Sequence, residues 1–254
     1  MTYYIGAELG KAFKSKAFKY YIAGIVAVCL LANLAMSAFR NIIYGMNDGT
    51  FAYNLIMFAE GFFWVPYYSC IFIADIVFGE SCPDPRIRDK STIGLGRSHI
   101  YFGKFFAELI LLGIYSVMAL VSFLVITPIF QVHDGTIDFS VISEFVYTVV
   151  LAMPLIISGL AISNMFLFSC KTKKSAYGLF ILCVIILPRV IMLLATDSFH
   201  VPIFVTLEKV LITPQFQTLQ FYATRDVPKI IITSIIYITA ALTIGCINYN
   251  RREF

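Results

Sequence analysis

Four ionisable side chains lie within long apolar stretches of this 254-residue sequence and are the first candidates for chemistry. Glu60 and Asp75 share one stretch, Glu108 lies in a second and Arg189 in a third. A charged group surrounded by lipid is costly, so such residues are candidates for buried pairs or for a pathway. Asp75 and Glu108 are near the ends of their stretches, where simple solvation is the alternative interpretation.

Glu60 and Arg189 are predicted to lie at matching depth. Each is five to seven residues from the same side of its stretch, or about 8–10 Å at 1.5 Å per residue. The two side chains are therefore expected to pair or to line a pathway. In the alternative interpretation, Arg189 reaches outward to the interface and Glu60 lies in the interface itself.

One face of the predicted helix around Glu60 combines carboxylates with aromatic rings. At 100° per residue, a narrow arc holds Glu60, Trp64, Tyr67, Ile71 and Asp75. Pro66 is expected to kink this helix near its middle. Such a face suits an amphipathic and cationic molecule, which makes Glu60, Trp64, Tyr67 and Arg189 the candidate pathway residues. Ordinary helix packing is the alternative, because the chain is 16% aromatic.

Motifs of several enzyme classes are missing from the sequence. Gly103-Lys104 approaches a phosphate-binding loop, but Phe105 follows where Ser or Thr is required. The sequence contains no HExxH, GxSxG or zinc-ligand spacing, and its histidines are isolated: His99, His133 and His200. We therefore expect no catalytic residues, no metal site, no cofactor bound by this chain and no nucleic-acid partner.

The composition predicts an all-α membrane protein. The chain is 59% hydrophobic and only 13% charged, whereas soluble domains carry about 25% charged residues. A membrane-crossing helix needs about 20 mostly apolar residues. Six stretches meet this requirement: 20–38, 55–78, 104–127, 145–168, 177–196 and 229–249. The chain is predicted to be a single domain, 1–254, built around a six-span bundle at 20–249.

Short helices are predicted outside the spans. In the leader, residues 1–19, one helical face combines apolar residues while lysines point away: the face holds Ile5, Leu9, Ala12 and Phe13. This pattern is typical of a helix in the membrane interface, with lysines toward anionic lipid. A solvated basic leader is the alternative. The outer loop 197–228 is divided by prolines into two apolar pieces, which predicts short helices in the outer interface.

The distribution of basic residues predicts the orientation. Fourteen of the 19 lysines and arginines fall in the leader, the loops after the second and fourth spans, and the tail 250–254. By the positive-inside rule that side is the cytoplasm, so both termini are expected there in a multi-pass protein of the cell membrane. The first span is longer than a signal-peptide core and is expected to be retained.

A charged segment follows the second span: residues 75–104 read DIVFGESCPDPRIRDKSTIGLGRSHIYFGK. Phe78 and Glu80 form an aromatic-acidic start, and Arg97 and Lys104 follow a basic middle. Together with the leader helix, the six spans and the long apolar outer loop, this pattern resembles the ABC-2 type permeases. These are the membrane subunits of type V ABC exporters. The Gly-Thr that the family often has in this segment is absent.

The resemblance implies a coupling helix at about 78–92 that docks on a separate ATP-binding cassette subunit. Glu80, Arg86, Arg88 and Arg97 would make charge-assisted contacts there. It also implies a second permease chain, with ATP and Mg held by the ATP-binding partner. An ordinary basic cytoplasmic loop is the alternative interpretation.

The expected function is export of an amphipathic or hydrophobic substrate, with an antimicrobial or toxin peptide as the first candidate. Exporters of drugs, lipid-linked glycans or ions have the same fold and are the alternative. A membrane scaffold or enzyme without an ATPase partner is the alternative from another class. Co-purification of an ATP-binding subunit would discriminate between these classes.

Overall fold

A computed structural model describes residues 1–39, 59–79, 96–130, 139–196, 202–219 and 225–251. Every regular element in these ranges is helical, which confirms the all-α prediction. The helices are α1 (Thr2–Lys14), α2 (Lys16–Phe39), α3 (Trp64–Phe78), α4 (Arg97–Phe130), α5 (Phe139–Ser169), α6 (Lys173–Ala195), α7 (Pro202–Glu208), α8 (Ile212–Leu219) and α9 (Val227–Arg251).

Five of these helices are long and apolar enough to cross a membrane: α2, α4, α5, α6 and α9. The helix α3 is also apolar but has only 15 residues. It is preceded by a turn at 61–63, where the sequence predicted continuous helix from 55 to 78; residues 55–58 lie outside the described ranges. Pro66 therefore lies in the first turn of α3, where helices tolerate proline, and not at a kink in mid-helix.

The leader helix and the first long helix are separate, and Ser15 joins them. Its backbone is extended, with φ −69° and ψ 145°. The Ser15 hydroxyl donates to the carbonyl oxygen of Ala12 at 2.7 Å and accepts from the N–H of Phe18 at 3.1 Å. One side chain thus closes α1 and caps α2. The leader helix is correctly predicted in kind, but it ends at Lys14 and the next helix begins at Lys16.

The helix α5 lies at the centre of the bundle. Of its apolar span, 56% is buried inside the protein, against 6% for α2. It packs on α3 and on α9. Gly159 permits the close approach to α3, because a Cβ atom there would lie 2.6 Å from the ring of Tyr67.

The helix ends meet in two groups. At one end, which we call the α1 end, α3, α5 and α9 finish while α4 and α6 begin; there Arg97 donates to the carbonyl oxygen of Asn250 at 2.9 Å. At the opposite end, the chain entering α9 meets the start of α5, where Arg225 pairs with Glu144. With the shorter α3 counted between α2 and α4, the successive apolar helices therefore run in alternate directions.

The helix α6 contains a widened turn. Lys173–Phe180 and Leu187–Ala195 are α-helical, whereas Ile181–Ile186 is π-helical. Pro188 has no N–H, and in a regular helix its ring would clash with the carbonyl four residues earlier. A wider turn directly before it is the expected response. The helix begins at Lys173, four residues before the predicted start at 177. Two short helices, α7 and α8, do lie within 197–228, but α8 begins at Ile212 and so spans Pro214, which was expected to divide the pieces.

Candidate functional site

Three of the four predicted coupling residues, Glu80, Arg86 and Arg88, lie outside the described residues. The sequence predicted that the fourth, Arg97, lies in a loop, but it is the first residue of α4. Because its guanidinium is bonded to Asn250, the chain leaving the charged segment is tied to the end of α9.

The chain enters the charged segment at Gly79, whose φ of 83° is a conformation that glycine adopts without strain. The ammonium of Lys173 donates to the Gly79 carbonyl oxygen and forms an ion pair with Asp75. The hydroxyl of Tyr177 donates to the second Asp75 oxygen at 3.2 Å. Asp75 is therefore bound by α6 and is not simply solvated.

Lys104 is buried at the same end of the bundle, with 2% of its side chain exposed. Its Nζ donates to the carbonyl oxygen of Val77 at 3.0 Å. The same atom lies 3.7 Å from the carboxylate of Glu8 and 4.9 Å from the centroid of the Phe78 ring. Glu8 is only 4% exposed, so the two charges are buried together, as buried ions must be.

We call Lys104 and Lys173, together with the Val77 and Gly79 carbonyls that they bind, the lysine clamp. These carbonyls lie at the C-terminal end of α3, where a helix leaves its last carbonyls without helical partners. Cations at that end also complement the helix dipole. The clamp therefore fixes the position at which the chain leaves α3 for the segment 80–95.

The leader helix is part of the same assembly. The ring of Tyr4 packs onto Gly103, where a Cβ atom would lie 2.6 Å from the ring. Ala12 is also buried in the core. Glu8 was not predicted as a site residue. The available signal was an acid within a basic leader, three residues before Lys11, which lies 3.4 Å from it.

The four predicted pathway residues do not form one face. Tyr67 is buried, and its ring centroid lies 5.4 Å from that of Phe216 in α8. Trp64 and Arg189 do meet: the guanidinium carbon lies 5.6 Å from the centroid of the indole ring, within cation–π range. The turn at 61–63 separates Glu60 from α3, so Glu60 does not continue the helical face that carries Trp64 and Tyr67.

Glu60 is buried within a group at the opposite end that we call the Arg225 cluster, formed by Glu60, Glu144, Thr148 and Arg225. The guanidinium of Arg225 pairs with Glu144 and donates to the Thr148 hydroxyl oxygen at 2.9 Å. Glu60 interacts with Thr148 and with the charge of Arg225. The expected pair of Glu60 with Arg189 is not formed, because Glu60 faces Arg225 and Arg189 faces Trp64.

Glu108 is completely buried, with 0% exposed, and neither carboxylate oxygen has a hydrogen-bond partner among the described residues. It lies close enough to Cys70 and Tyr101 to interact with both electrostatically. The solvation considered for Glu108 is therefore wrong. Cys70 of α3 lies close to the position, and hydropathy along one helix does not reveal which neighbouring helix covers a residue.

An apolar crevice of about 250 Å³ lies between α5, α6, α8 and α9. Its lining includes Tyr67, Met165, Val184, Pro188, Thr213 and Tyr237. Within the described ranges, no three His, Cys, Asp or Glu side chains converge as they would around a metal ion. The site features are thus two polar clusters at the bundle ends and an apolar crevice between helices.

No protein-family model and no curated protein matches the chain.

Proposed function

We propose that the chain is the membrane-spanning permease subunit of an ATP-driven exporter. In this proposal the bundle crosses the cell membrane six times, α3 and the residues before it forming the second crossing. Both termini lie in the cytoplasm, at the α1 end. The five long apolar helices, and the alternating directions of the series that includes α3, support the topology. The basic residues near the α1 end support the orientation.

The lysine clamp is the observation that carries the proposal. A force applied to the segment 80–95 is passed to several helices at once when both ends of the segment are held by side chains from those helices. Lys104 and Lys173 hold the end at α3, and Arg97 ties the end at α4 to α9. Movement of the segment is then passed to four helices, α3, α4, α6 and α9, with Glu80 and its arginines as the contact with a separate ATP-binding cassette subunit.

The proposed assembly combines this chain with a second permease chain and two ATP-binding subunits, which hold the ATP and Mg. Its proposed cargo is amphipathic or hydrophobic, with an antimicrobial or toxin peptide as the first candidate. An aromatic ring and a cation in the outer half of the bundle, Trp64 and Arg189, support a cargo that has both apolar and charged parts.

The test is purification of the tagged full-length chain from its native membranes in mild detergent, followed by measurement of ATP hydrolysis. Glu80→Lys should insert normally but lose both the co-purifying ATP-binding subunit and most of the hydrolysis. Glu208→Lys reverses an acid in α7, at the opposite end. It is the matched control and should retain both.

Two results would contradict the proposal in different ways. Normal insertion of Glu80→Lys with wild-type co-purification and hydrolysis means that segment 80–95 is not the contact. A wild-type chain purified without any associated ATP hydrolysis favours a scaffold or enzyme that works without an ATPase.

A further inference from the structure

The apolar crevice runs along the bundle axis and is not used by the proposed coupling. Residues of α5, α6 and α9 line its length, and α8 contributes at its outer end. On α9 the lining extends from Tyr237 to Ile244, or about 10 Å at 1.5 Å per residue. The crevice therefore has the direction of a lipid tail in a bilayer.

The size of the crevice fits a single apolar chain. Its volume of about 250 Å³ is below the range of about 300–1,000 Å³ for pockets that enclose whole drug-sized ligands. Cys183 and Ile244 belong to the lining and are exposed on the outside of the bundle. The crevice thus opens sideways, so that a tail can enter it from the surrounding lipid.

A buried hydroxyl lies in the lining at the outer end. Thr213, at the start of α8, is 3% exposed, and its Oγ1 has no hydrogen-bond partner in the part of the chain that the structure describes. Burying a hydroxyl without a partner is unfavourable. A ligand carbonyl at this position would accept the hydrogen bond.

A cation lies next to the same end. Arg189 directly follows Pro188, which lines the crevice, and its side chain is exposed on the outside of the bundle. Its described contact is the face of the Trp64 ring, and none of the ion pairs between described residues includes it. Arginine at a lipid-facing position is costly unless an anion accompanies it.

We propose that the crevice binds one tail of an anionic phospholipid from the surrounding bilayer. Burial of the tail supplies affinity. The Thr213 hydroxyl donates to the ester carbonyl of the lipid, and the Arg189 guanidinium makes a charge-assisted hydrogen bond to its phosphate. A zwitterionic lipid carries its own cation beside the phosphate, so the preference for an anionic headgroup comes from Arg189. This inference does not depend on ATP-driven export.

The chain has one tryptophan, Trp64, which contacts Arg189 at the proposed headgroup end of the site. The purified full-length protein in neutral detergent is titrated with lysophosphatidylglycerol whose tail is brominated near the ester, because bromine quenches tryptophan fluorescence at short range. Lysophosphatidylcholine with the same tail is the comparison. We expect half-maximal quenching at about tenfold lower concentration for the anionic lipid, the order of one charge-assisted hydrogen bond.

Variants separate the contributions of charge and tail. Arg189→Gln should reduce the preference to less than about twofold, whereas Arg189→Lys should keep part of it. Lys209→Gln removes an exposed cation elsewhere in the outer region and should leave the preference unchanged. Ala240→Phe fills the crevice from its exposed edge and should weaken both lipids equally, with gel filtration confirming that the variant is folded.

Equal quenching of the wild-type protein by both lipids would overturn the proposal and indicate ordinary contact with bulk lipid. A preference that survives Arg189→Gln would overturn it as well, as would a preference that Arg189→Lys loses completely. Unaltered quenching in folded Ala240→Phe would remove the crevice as the tail site.

Discussion

Replacement of Lys104 by methionine tests how strongly the lysine clamp joins α1 to α3 and α4. Methionine keeps an unbranched side chain of similar length but removes the ammonium. The variant loses the hydrogen bond to the Val77 carbonyl and the ion pair with Glu8. It also leaves the Glu8 carboxylate, which is 4% exposed, inside the protein without this partner.

The expected loss of stability follows from these contacts. Removing one partner of a buried ion pair costs about 3–5 kcal/mol. Glu8 retains Lys11 at 3.4 Å, although that lysine is 60% exposed, so we expect about 3 kcal/mol, the lower end of the range. At about 2–4 °C per kcal/mol for a chain of this size, the melting temperature should fall by about 6–12 °C.

Thermal unfolding of the detergent-solubilised protein can be followed with a thiol-reactive fluorophore in a background in which the other five cysteines, including the exposed Cys183, are replaced by alanine. Cys70 is buried and becomes reactive only on unfolding. The matched control is Lys11→Met, which removes the exposed partner of the same carboxylate. Exposed ion pairs contribute at most about 1 kcal/mol. The control should therefore shift the melting temperature by less than about 4 °C.

The double variant Lys104→Met/Glu8→Gln removes the stranded charge as well. It should be more stable than the sum of the two single effects predicts, with a coupling energy of about 1–3 kcal/mol. An unchanged melting temperature in Lys104→Met would refute the reasoning. Strict additivity in the double variant would show that the two charges do not stabilise one another.

Three further outcomes are expected. Gly159→Val should destabilise the protein by about 1–3 kcal/mol through overpacking against Tyr67. Gly113→Ala is the control and should not, because an added Cβ there meets nothing within 4 Å. Equal melting temperatures of the two variants would contradict the close packing of α5 on α3. Lys171→Cys in a background without other reactive thiols should react with a membrane-impermeant reagent only in inside-out vesicles, and labelling in intact cells would reverse the proposed orientation. Arg225→Gln removes a cation whose side chain is 5% exposed, which pairs with Glu144 and whose charge acts on Glu60. It should lower the melting temperature more than Lys229→Gln at an exposed position; equal effects would mean that the cluster is screened by solvent.

The existence of the long helices was predictable from the sequence. In lipid, each spanning segment must satisfy its own backbone hydrogen bonds as an apolar helix, independently of the helices that pack against it. Their ends were less predictable. The helix α4 begins at Arg97, whereas hydropathy placed the start of the span at 104. Hydropathy marks the part of a helix that contacts lipid, and α4 continues beyond it because its polar end packs on α1 and α9.

Partners of buried charges were not predictable from spacing. The sequence gives the depth of Glu60 and Arg189 but not the direction in which each side chain points around its helix. The turn at 61–63 changes that direction for Glu60. The cation whose charge acts on Glu60, Arg225, comes from a connection that could be placed only once α5 and α9 were packed together.

The charges at the outer end have a consequence for the proposed cargo. Glu60 is buried beside the positive charge of Arg225, so the carboxylate that the sequence offered to a cationic peptide is not exposed to it. The charge left at the exposed surface beside Trp64 is the positive charge of Arg189. A cationic peptide could lay its apolar side against the indole ring but would be repelled by the guanidinium beside it. An anionic lipid bound at Arg189 removes that repulsion and adds a phosphate that a lysine of the peptide can contact. Under the proposed function, lipid occupancy of the crevice and acceptance of cationic cargo are therefore coupled, and a site emptied of anionic lipid favours neutral or anionic cargo instead.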